Sequence, residues 1–392
     1  MIKKGRMKRI LCFILFFASS CVFTQNLEFT VIVKDIQTGL PIEEVTITAL
    51  KSNQGFLSNK SGEAIISLTK ESDLRFEHSL YKSYTVKFSE LGKKINEVYL
   101  ESNAQQLEEI ILTSDHPQDI LKRLIKNSLS KITVPVNLKV YLREFYKKND
   151  QIVFFNDGLI NFQILGNSKR VKTDILVEQN RAIGLLDLDI NAELLGYDLN
   201  NIIENYYQFV YLDEILKSNA KHKYEFQVRS YQNNEDYLVI KVTPLVDVKG
   251  VLSDFTIVYD RNKMIIMEVG SVVAESRMED LRRSFLSSDK VYKLEYKNTF
   301  RVDNNLYYLA NSKEVIGFEK KYKKQKRRIE VNNHMVVTSF NKQIFKYNDG
   351  NVFKDKSLIN KKTKFFNNYW DIESGFVSTK EEKEIIERLA TQ

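Results

Sequence analysis

The sequence predicts a mainly β, α+β protein: an N-terminal seven-stranded antiparallel β-sandwich followed by a larger, curved antiparallel sheet with a few helices. Three observations predict it. Between Leu27 and Leu100 short apolar runs recur at a spacing of about 8–12 residues, separated by turns rich in Asn, Asp and Gly, which is how a sandwich reads. From Leu138 to Phe340 longer runs alternate apolar and polar without a βαβ pattern, as one large antiparallel sheet requires. Only the stretches near 117–132, 202–216 and 379–389 show helical spacing.

Residues 1–24 read as a signal peptide, in which Lys3, Lys4, Arg6, Lys8 and Arg9 precede the apolar run Ile10-Leu-Cys-Phe-Ile-Leu-Phe-Phe-Ala18. That run is too short to span a bilayer. Two exits follow: cleavage near Thr24, or lipidation of Cys21, because Ala18-Ser-Ser-Cys21 is similar to a bacterial lipobox. Both cysteines, Cys12 and Cys21, lie in this leader, so the rest of the chain has no thiol to oxidise and must rest on its core. The expected location is the periplasm or the periplasmic face of the outer membrane, with a lipid anchor if Cys21 is modified. The net charge of +8 also belongs largely to the leader, since 54 basic against 51 acidic residues remain beyond it. No field for nucleic acid is expected from that balance.

Phe29-Thr-Val-Ile-Val-Lys34 alternates and then turns continuously apolar, the mark of a strand covered on both sides. Asp35-Ile-Gln-Thr-Gly-Leu-Pro41 reverses it, Gly supplying a positive φ and Pro a fixed one. Strands at 45–50, 56–57, 64–68, 73–77, 84–88 and 96–100 complete the set, with turns at Asn53-Gln-Gly55 and Asn59-Lys-Ser-Gly62. Leu74, Phe76, Val86, Phe88, Val98 and Leu100 fit one buried side. Segments 33–47, 58–64 and 104–113 together resemble the carboxypeptidase-regulatory-like domain of Bacteroidetes envelope proteins, a transthyretin-like sandwich. The resemblance implies that residues 26–101 are an interaction module. Its closing segment is also similar to the transition that precedes the plug of TonB-dependent receptors. About 280 residues follow, too few for a 22-stranded transporter barrel, so receptor function is not implied.

Residues 102–114 form the connector, of which 107–112 is too apolar to float and is expected to pair as a strand with one of its neighbours. The second unit covers 115–392. Ser114 or Asp115 as N-cap and Pro117 in the first turn open its first helix, where Ile120, Leu121, Leu124, Ile125, Leu129 and Ile132 recur at helical spacing. Strands are expected at 138–146, 152–155, 159–165, 224–229, 237–243, 255–259, 264–269, 291–301, 306–310, 328–331 and 335–340. Asp260-Arg-Asn-Lys263 and Asp303-Asn-Asn305 are hairpin turns. Thr256-Ile-Val-Tyr-Asp260 with Ile265-Ile-Met-Glu-Val269 is similar to a strand pair of lipoprotein-carrier half-barrels. The layout of helix 117–132, Tyr141-Leu-Arg-Glu-Phe-Tyr146 and Tyr369-Trp-Asp371 resembles uncharacterised Bacteroidetes proteins with the same regulatory-like domain.

No Gly-x-Ser-x-Gly, phosphate-binding loop or dinucleotide glycine pattern is present. His222-Lys-Tyr-Glu225 with the distant His334 echoes the zinc-ligand spacing of metallocarboxypeptidases, but residues three apart on a strand point to opposite sides. His78 and His116 are solitary and read as surface or strand-edge residues. Leu185-Leu-Asp-Leu-Asp-Ile190 lacks the glycine and spacing of a calcium loop. No catalytic residue, metal ligand or cofactor is therefore assigned. The strongest charge feature is the run of Lys320, Lys321, Lys323, Lys324, Lys326, Arg327 and Arg328, seven positive charges in nine residues. It reads as a solvated hairpin extension whose charges keep the edge from aggregating, or as a contact for anionic lipid or lipopolysaccharide.

The expected function is a non-enzymatic cell-envelope binding or scaffold protein. Its partner would be an envelope protein or outer-membrane component, with lipid or glycan as further ligands. A periplasmic carrier of lipid or lipoprotein, using the concave side of the C-terminal sheet, and a hydrolase with an unrecognised site are the alternatives.

Overall fold

A computed structural model describes residues 27–92, 94–102, 109–167, 170–185, 198–199, 201–231, 236–250, 252–273, 277, 290–322, 325–361 and 374–391. The signal peptide with Cys21, most of the Asp-containing stretch 185–190, Lys323, Lys324 and Tyr369-Trp-Asp371 lie outside the described residues.

The sandwich consists of β1 (Leu27–Asp35), β2 (Thr46–Ala49), β3 (Gln54–Leu57), β4 (Glu63–Leu68), β5 (Leu74–His78), β6 (Tyr81–Val86) and β7 (Ile95–Leu100). Strands β4-β1-β7 form one layer and β3-β2-β5-β6 the other. Val31, Val33, Ile47, Ile66, Leu74 and Phe76 are fully buried between them. Each such side chain contributes about 1.5–3 kcal/mol, which is what holds a thiol-free sandwich together. After β1 the Asp35 carboxylate accepts hydrogen bonds from the Gln37 and Thr38 amides, and Gly39 takes φ 69°, closing the turn that its sequence requires. One pairing departs from the antiparallel expectation. β1 and β7 run parallel, with Thr30 opposite Ile95 and Asp35 opposite Leu100, because the chain crosses from one layer to the other between β6 and β7 and arrives beside β1 in the same sense.

The second unit is a curved antiparallel sheet made of β8 (Val136–Lys148), β9 (Gln151–Asn167), β10 (Arg170–Gly184), β11 (Tyr224–Ser230), β12 (Tyr237–Pro244), β13 (Ser253–Asp260), β14 (Ile265–Val273), β15 (Lys290–Asp303), β16 (Leu306–Tyr322) and β17 (Gln325–Asn341). Its order is β10-β9-β8-β17-β16-β15-β14-β13-β12-β11. β17 also touches the sandwich, Ser339 lying opposite Gln54 of β3.

Five elements differ from the sequence expectation, the first being β16, expected over 306–310 and found to run on to Tyr322. β9 is continuous through Asn156-Asp-Gly158, because that glycine makes room for Leu358, whose Cδ1 would lie 2.6 Å from an added Cβ, and is not a turn. β17 likewise runs unbroken through Asn332-Asn-His334. β10 was not expected at all; a bulge between Val177 and Gln179 reverses its alternation and hides it from a period-2 reading. Finally, the helix expected over 202–216 is split into α2 (Ile202–Tyr207) and α3 (Asp213–Leu216). Phe209 stands between them at φ 55°, which aims its ring at Phe300, 5.3 Å away, and buries it. That packing outweighs about 1–2 kcal/mol of left-handed strain.

α1 (Pro117–Lys131) is capped by His116, whose Nδ1 accepts the Gln118 amide at 3.1 Å, rather than by Ser114 or Asp115. α4 (Lys380–Ala390) closes the described chain. Of the connector, Ile111 donates its amide to the Val228 carbonyl and Glu109 accepts the Ser230 amide, so this piece covers the outer edge of β11.

Alternation gives the large sheet two faces. Leu138, Val140, Phe162, Ile257, Phe300, Leu309 and Met335 project to the apolar face, where they are buried with residues of α1, α2 and α3 in one core. The Ile266 amide donates to Ser128 Oγ of α1 at 2.9 Å, seating that helix. The opposite face is polar, and the sandwich and α4 lie over it.

Candidate functional site

Strand register lays a row of charge across the polar face. Arg181 of β10 lies opposite Asp157 of β9, Asp157 opposite Arg143 of β8, Arg143 opposite His334 of β17, His334 opposite Lys313 of β16, and Lys313 opposite Lys297 of β15. Like charges directly opposite one another destabilise a sheet, so such a row needs carboxylates brought to it. Three arrive. Asp157, within the row, takes Arg181 at 2.9 Å and accepts the Tyr141 hydroxyl at 2.9 Å. Glu382 of α4 meets the two Nη atoms of Arg143 at 3.3 and 3.4 Å. Glu44, from the sandwich loop before β2, reaches Lys313 at 2.5 Å, Lys297 at 3.6 Å and His334 Nε2 at 3.9 Å.

These contacts set the electrostatics of the site. Burial alone would raise the Glu44 carboxyl, yet Lys297 and Lys313 beside it bring it down to about 2. His334 is pushed well below the usual imidazole range, first by burial and then by Arg143 and Lys313, with Glu44 pulling the other way.

The C-terminal segment completes the arrangement. The Leu57 amide donates to the Gly375 carbonyl at 2.8 Å and Asn59 Nδ2 to the Val377 carbonyl at 3.2 Å, which docks the segment on the sandwich. Phe376 is thereby inserted beneath the Arg143 guanidinium, 3.7 Å from the ring centroid, and edge-on to His334 at 5.1 Å. With Leu57, Tyr141, Leu159 and Val336 it forms a small apolar cluster that ties sandwich, sheet and C-terminus together. Thr379 and Glu382 then form a reciprocal capping box at the start of α4, and Ile386 and Leu389 of the helix bury against Phe145 and Phe155.

Between the sandwich loops, the polar face and α4 lies an open cleft of about 1210 Å³, lined by Lys60, Arg143, Lys147, Lys293, Lys313, Glu44, Glu330 and His334, with Glu43, Asp150, Glu381 and Glu384 at exposed positions. Its hydroxyls are already engaged. Ser58 Oγ donates to the Ile42 carbonyl at 2.8 Å and accepts the Val45 amide at 2.9 Å, while Thr379 Oγ1 accepts the Glu382 amide at 3.2 Å. Among the described lining residues, hydrogen bonding and charge are available to a ligand, but a hydroxyl nucleophile with an adjacent base is not. A second cavity, about 300 Å³, lies at the seam of β5 and β6 with the large sheet. Here Arg75 and Arg301 both face Glu77, at 3.2 and 3.4 Å, and Arg75 also pairs with the buried Asp303.

The residues singled out from sequence are scattered. Lys320 and Lys321 lie on β16 and Lys326, Arg327 and Arg328 on β17, near the end of that hairpin. Within it Lys326 pairs with Glu319 at 3.3 Å, and Arg328 stacks on Tyr292 of β15 at 4.2 Å. Glu225 stands on β11 and His222 just before it, with five strands between them and His334 on β17. Among the described residues no group of three His, Cys, Asp or Glu side chains is placed to hold a metal. His116 is a helix cap, and His78 is a half-buried seam residue. Arg143, Lys313, Glu44, Phe376 and Glu382 did not stand out in the sequence; the alternation of Arg143, Phe145 and Lys147 was the available signal. No described helix is long and apolar enough to cross a membrane.

No protein-family model matches the sequence, and no curated protein matches it. Among solved structures the chain is similar to lipovitellin, in a structure titled for its lipid–protein interactions, at 11% identity and TM-score 0.26, covering 60% of this chain and 29% of that one. It is also similar to a LolA superfamily protein from Nitrosomonas europaea, at 9% identity and TM-score 0.22, covering 62% and 99%. A third likeness is to the MucA/MucB complex of Pseudomonas aeruginosa, at 10% identity and TM-score 0.19, covering 57% and 98%. All three scores are too low to assign a function.

Proposed function

We propose that this is a non-catalytic binding protein of the bacterial cell envelope. Its ligand site is the cleft between sandwich, polar face and α4, and its ligand is a polar segment of an envelope protein or a glycan. In this reading the regulatory-like sandwich is the interaction module that supplies one wall. The observation that carries the reading is where open space lies: the cleft mixes many charged side chains with apolar ones such as Phe145, Val315 and Phe376, whereas the apolar face, the place for an acyl chain, is filled by the chain's own helices. Engaged hydroxyls in the cleft favour binding over hydrolysis.

Two measurements test it. Lipid extraction and mass spectrometry of protein purified from its own envelope should recover no stoichiometric acyl species; recovery of one would favour the carrier instead. A photo-crosslinking side chain at Asp150 or Glu384 in living cells should capture a discrete envelope partner, and the same group at Val246, an exposed loop position outside the cleft lining, should not. Equal capture from both positions would remove the cleft as the site.

A further inference from the structure

We propose that the seam between the sandwich and the polar face is an acid-released latch, in which protonation of His78 and His334 drives the sandwich off the large sheet. The two imidazoles flank one ion cluster. Glu44 stands at its centre between Lys313 and Lys297, and Lys297 also faces Glu268 of β14 at 3.5 Å. On one side His334 projects from β17 beside Glu44. Arg143 of β8, Lys313 of β16 and Lys60 of the sandwich surround it, with Phe376 against its ring. On the other side His78 ends β5 in the smaller cavity, where Lys297 and Arg301 of β15 face it and Arg75, Glu77, Asp236, Lys263 and Glu268 line the walls. Its Nδ1 accepts the Leu80 amide at 3.1 Å and its ring meets Tyr81 edge-on. Glu77 is engaged by Arg75 and Arg301, and Asp303 by Arg75, so Glu44 is the carboxylate that acts on both imidazoles.

A proton added at either ring, each partly buried at the edge of a cavity, therefore lands among cations. Burial and then the neighbouring cations hold His78 at about 4 and His334 well below its usual range. In the released state both return toward 6.5. Because the seated values are depressed, the released state binds more protons as pH falls. The latch is intact above about pH 6.5 and weakens progressively toward pH 4, where His78 alone shifts the opening equilibrium by about a hundredfold. Glu44, held at about 2, stays ionised through that window and is not the trigger.

The test uses the full chain at pH 7.5 and pH 4.5. Amide exchange at 43–46 and 311–313 is corrected for its intrinsic pH dependence, small-angle scattering reports overall dimensions and far-UV circular dichroism reports the fold. At pH 4.5 these amides should exchange at least about tenfold faster and the particle should expand, with the β signal retained. A His78→Asn, His334→Gln double variant should keep the neutral-pH behaviour. Each single variant is also made and should shift release toward acid, so that one that fails to fold leaves the other to report. Unchanged protection of the wild-type seam at pH 4.5 would overturn the proposal, as would release of the variants at the wild-type pH or a common global loss of β signal in all of them. Since no ligand enters the measurement, the latch stands or falls apart from the cleft's role in binding.

Discussion

The apolar face and the polar face of the large sheet are both covered by other parts of the chain, but by different physics. On the apolar face, Phe162 and Leu309 are fully buried and Phe300 nearly so, against helices that bring few charges into the contact, Glu204 on the Thr173 amide being one, so its stability depends mainly on shape and volume. On the polar face the contact joins ion pairs among Glu44, Glu382, Arg143, Lys297 and Lys313 with two small apolar clusters, around Phe376 and around Ile386 and Leu389. The comparison teaches that the first contact depends little on charge, its carboxylates Glu204 and Glu314 being held by the Thr173 amide and by the Tyr206 and Tyr211 hydroxyls. The second answers to pH, to salt and to any ligand that offers its own charges.

The largest effect that can break this contrast is expected on the apolar side. Phe162→Ala should cost about 3–5 kcal/mol in denaturant unfolding with an unchanged slope, since it opens a cavity in a closed core; a loss under about 1 kcal/mol would show that this face is loosely packed. Next comes the join between the units. Gly55 of β3 lies so close to β17 that an added Cβ would stand 2.4 Å from the Val337 carbonyl oxygen, backbone against side chain with no rotamer to relieve it. Gly55→Ala should cost about 1–3 kcal/mol and separate the melting of the sandwich from that of the sheet in calorimetry; a single wild-type-like transition would refute the close approach.

Within the polar face, Arg143→Lys keeps the charge but loses the fork toward Glu382 and the stack on Phe376. About 1–2 kcal/mol of local protection should disappear from the amides of α4, read by hydrogen exchange, with little change in global unfolding; protection retained in full would mean that Ile386 and Leu389 hold the helix unaided. The smallest effect is expected at the end of the β16–β17 hairpin. Lys326→Gln with Arg328→Gln should change the melting midpoint by no more than corresponds to about 0.5 kcal/mol, because the ion pair there is solvent-exposed. A larger loss would mean that the cationic run is part of the fold, whereas reduced affinity for vesicles of anionic lipid at unchanged stability would give it the surface role.

Much of the architecture was legible because it is periodic. The sandwich strands, the long meander and the helices at 117–131 and 380–390 follow from spacing and caps that a single chain displays. What misled was local chemistry with a tertiary cause: Gly158 makes room for a side chain and is not a turn, the bulge in β10 masks its alternation, and Phe209 leaves helical geometry to reach Phe300. The charged row was illegible for another reason. Arg181, Asp157, Arg143, His334, Lys313 and Lys297 are ordinary strand residues taken singly, and they become neighbours only through register, while Glu44 and Glu382 come from more than ninety residues away from Arg143 on either side. Period-2 alternation says which side of a strand a residue occupies, but not what stands across from it.

The pairing of Ser339 with Gln54 is a single register pair between two otherwise complete sheets. Mechanically, one such pair fixes a position but not a direction, since at least two successive pairs are needed to set the angle between strands. The position of the sandwich is thus set where Gly55 packs against Val337, and its angle by contacts outside the ladder, among them the Phe376 cluster and the bond from Asn304 Nδ2 to the Leu50 carbonyl. The ion clusters to either side, Arg75 with Asp303 and Glu77 with Arg301 toward β15, and Glu44 with Lys313 toward β16, act as its stops. Once they are loosened, what still opposes release is this one register pair, the Asn304 bond and the small cluster around Phe376, so the seam is expected to open at its ion clusters first.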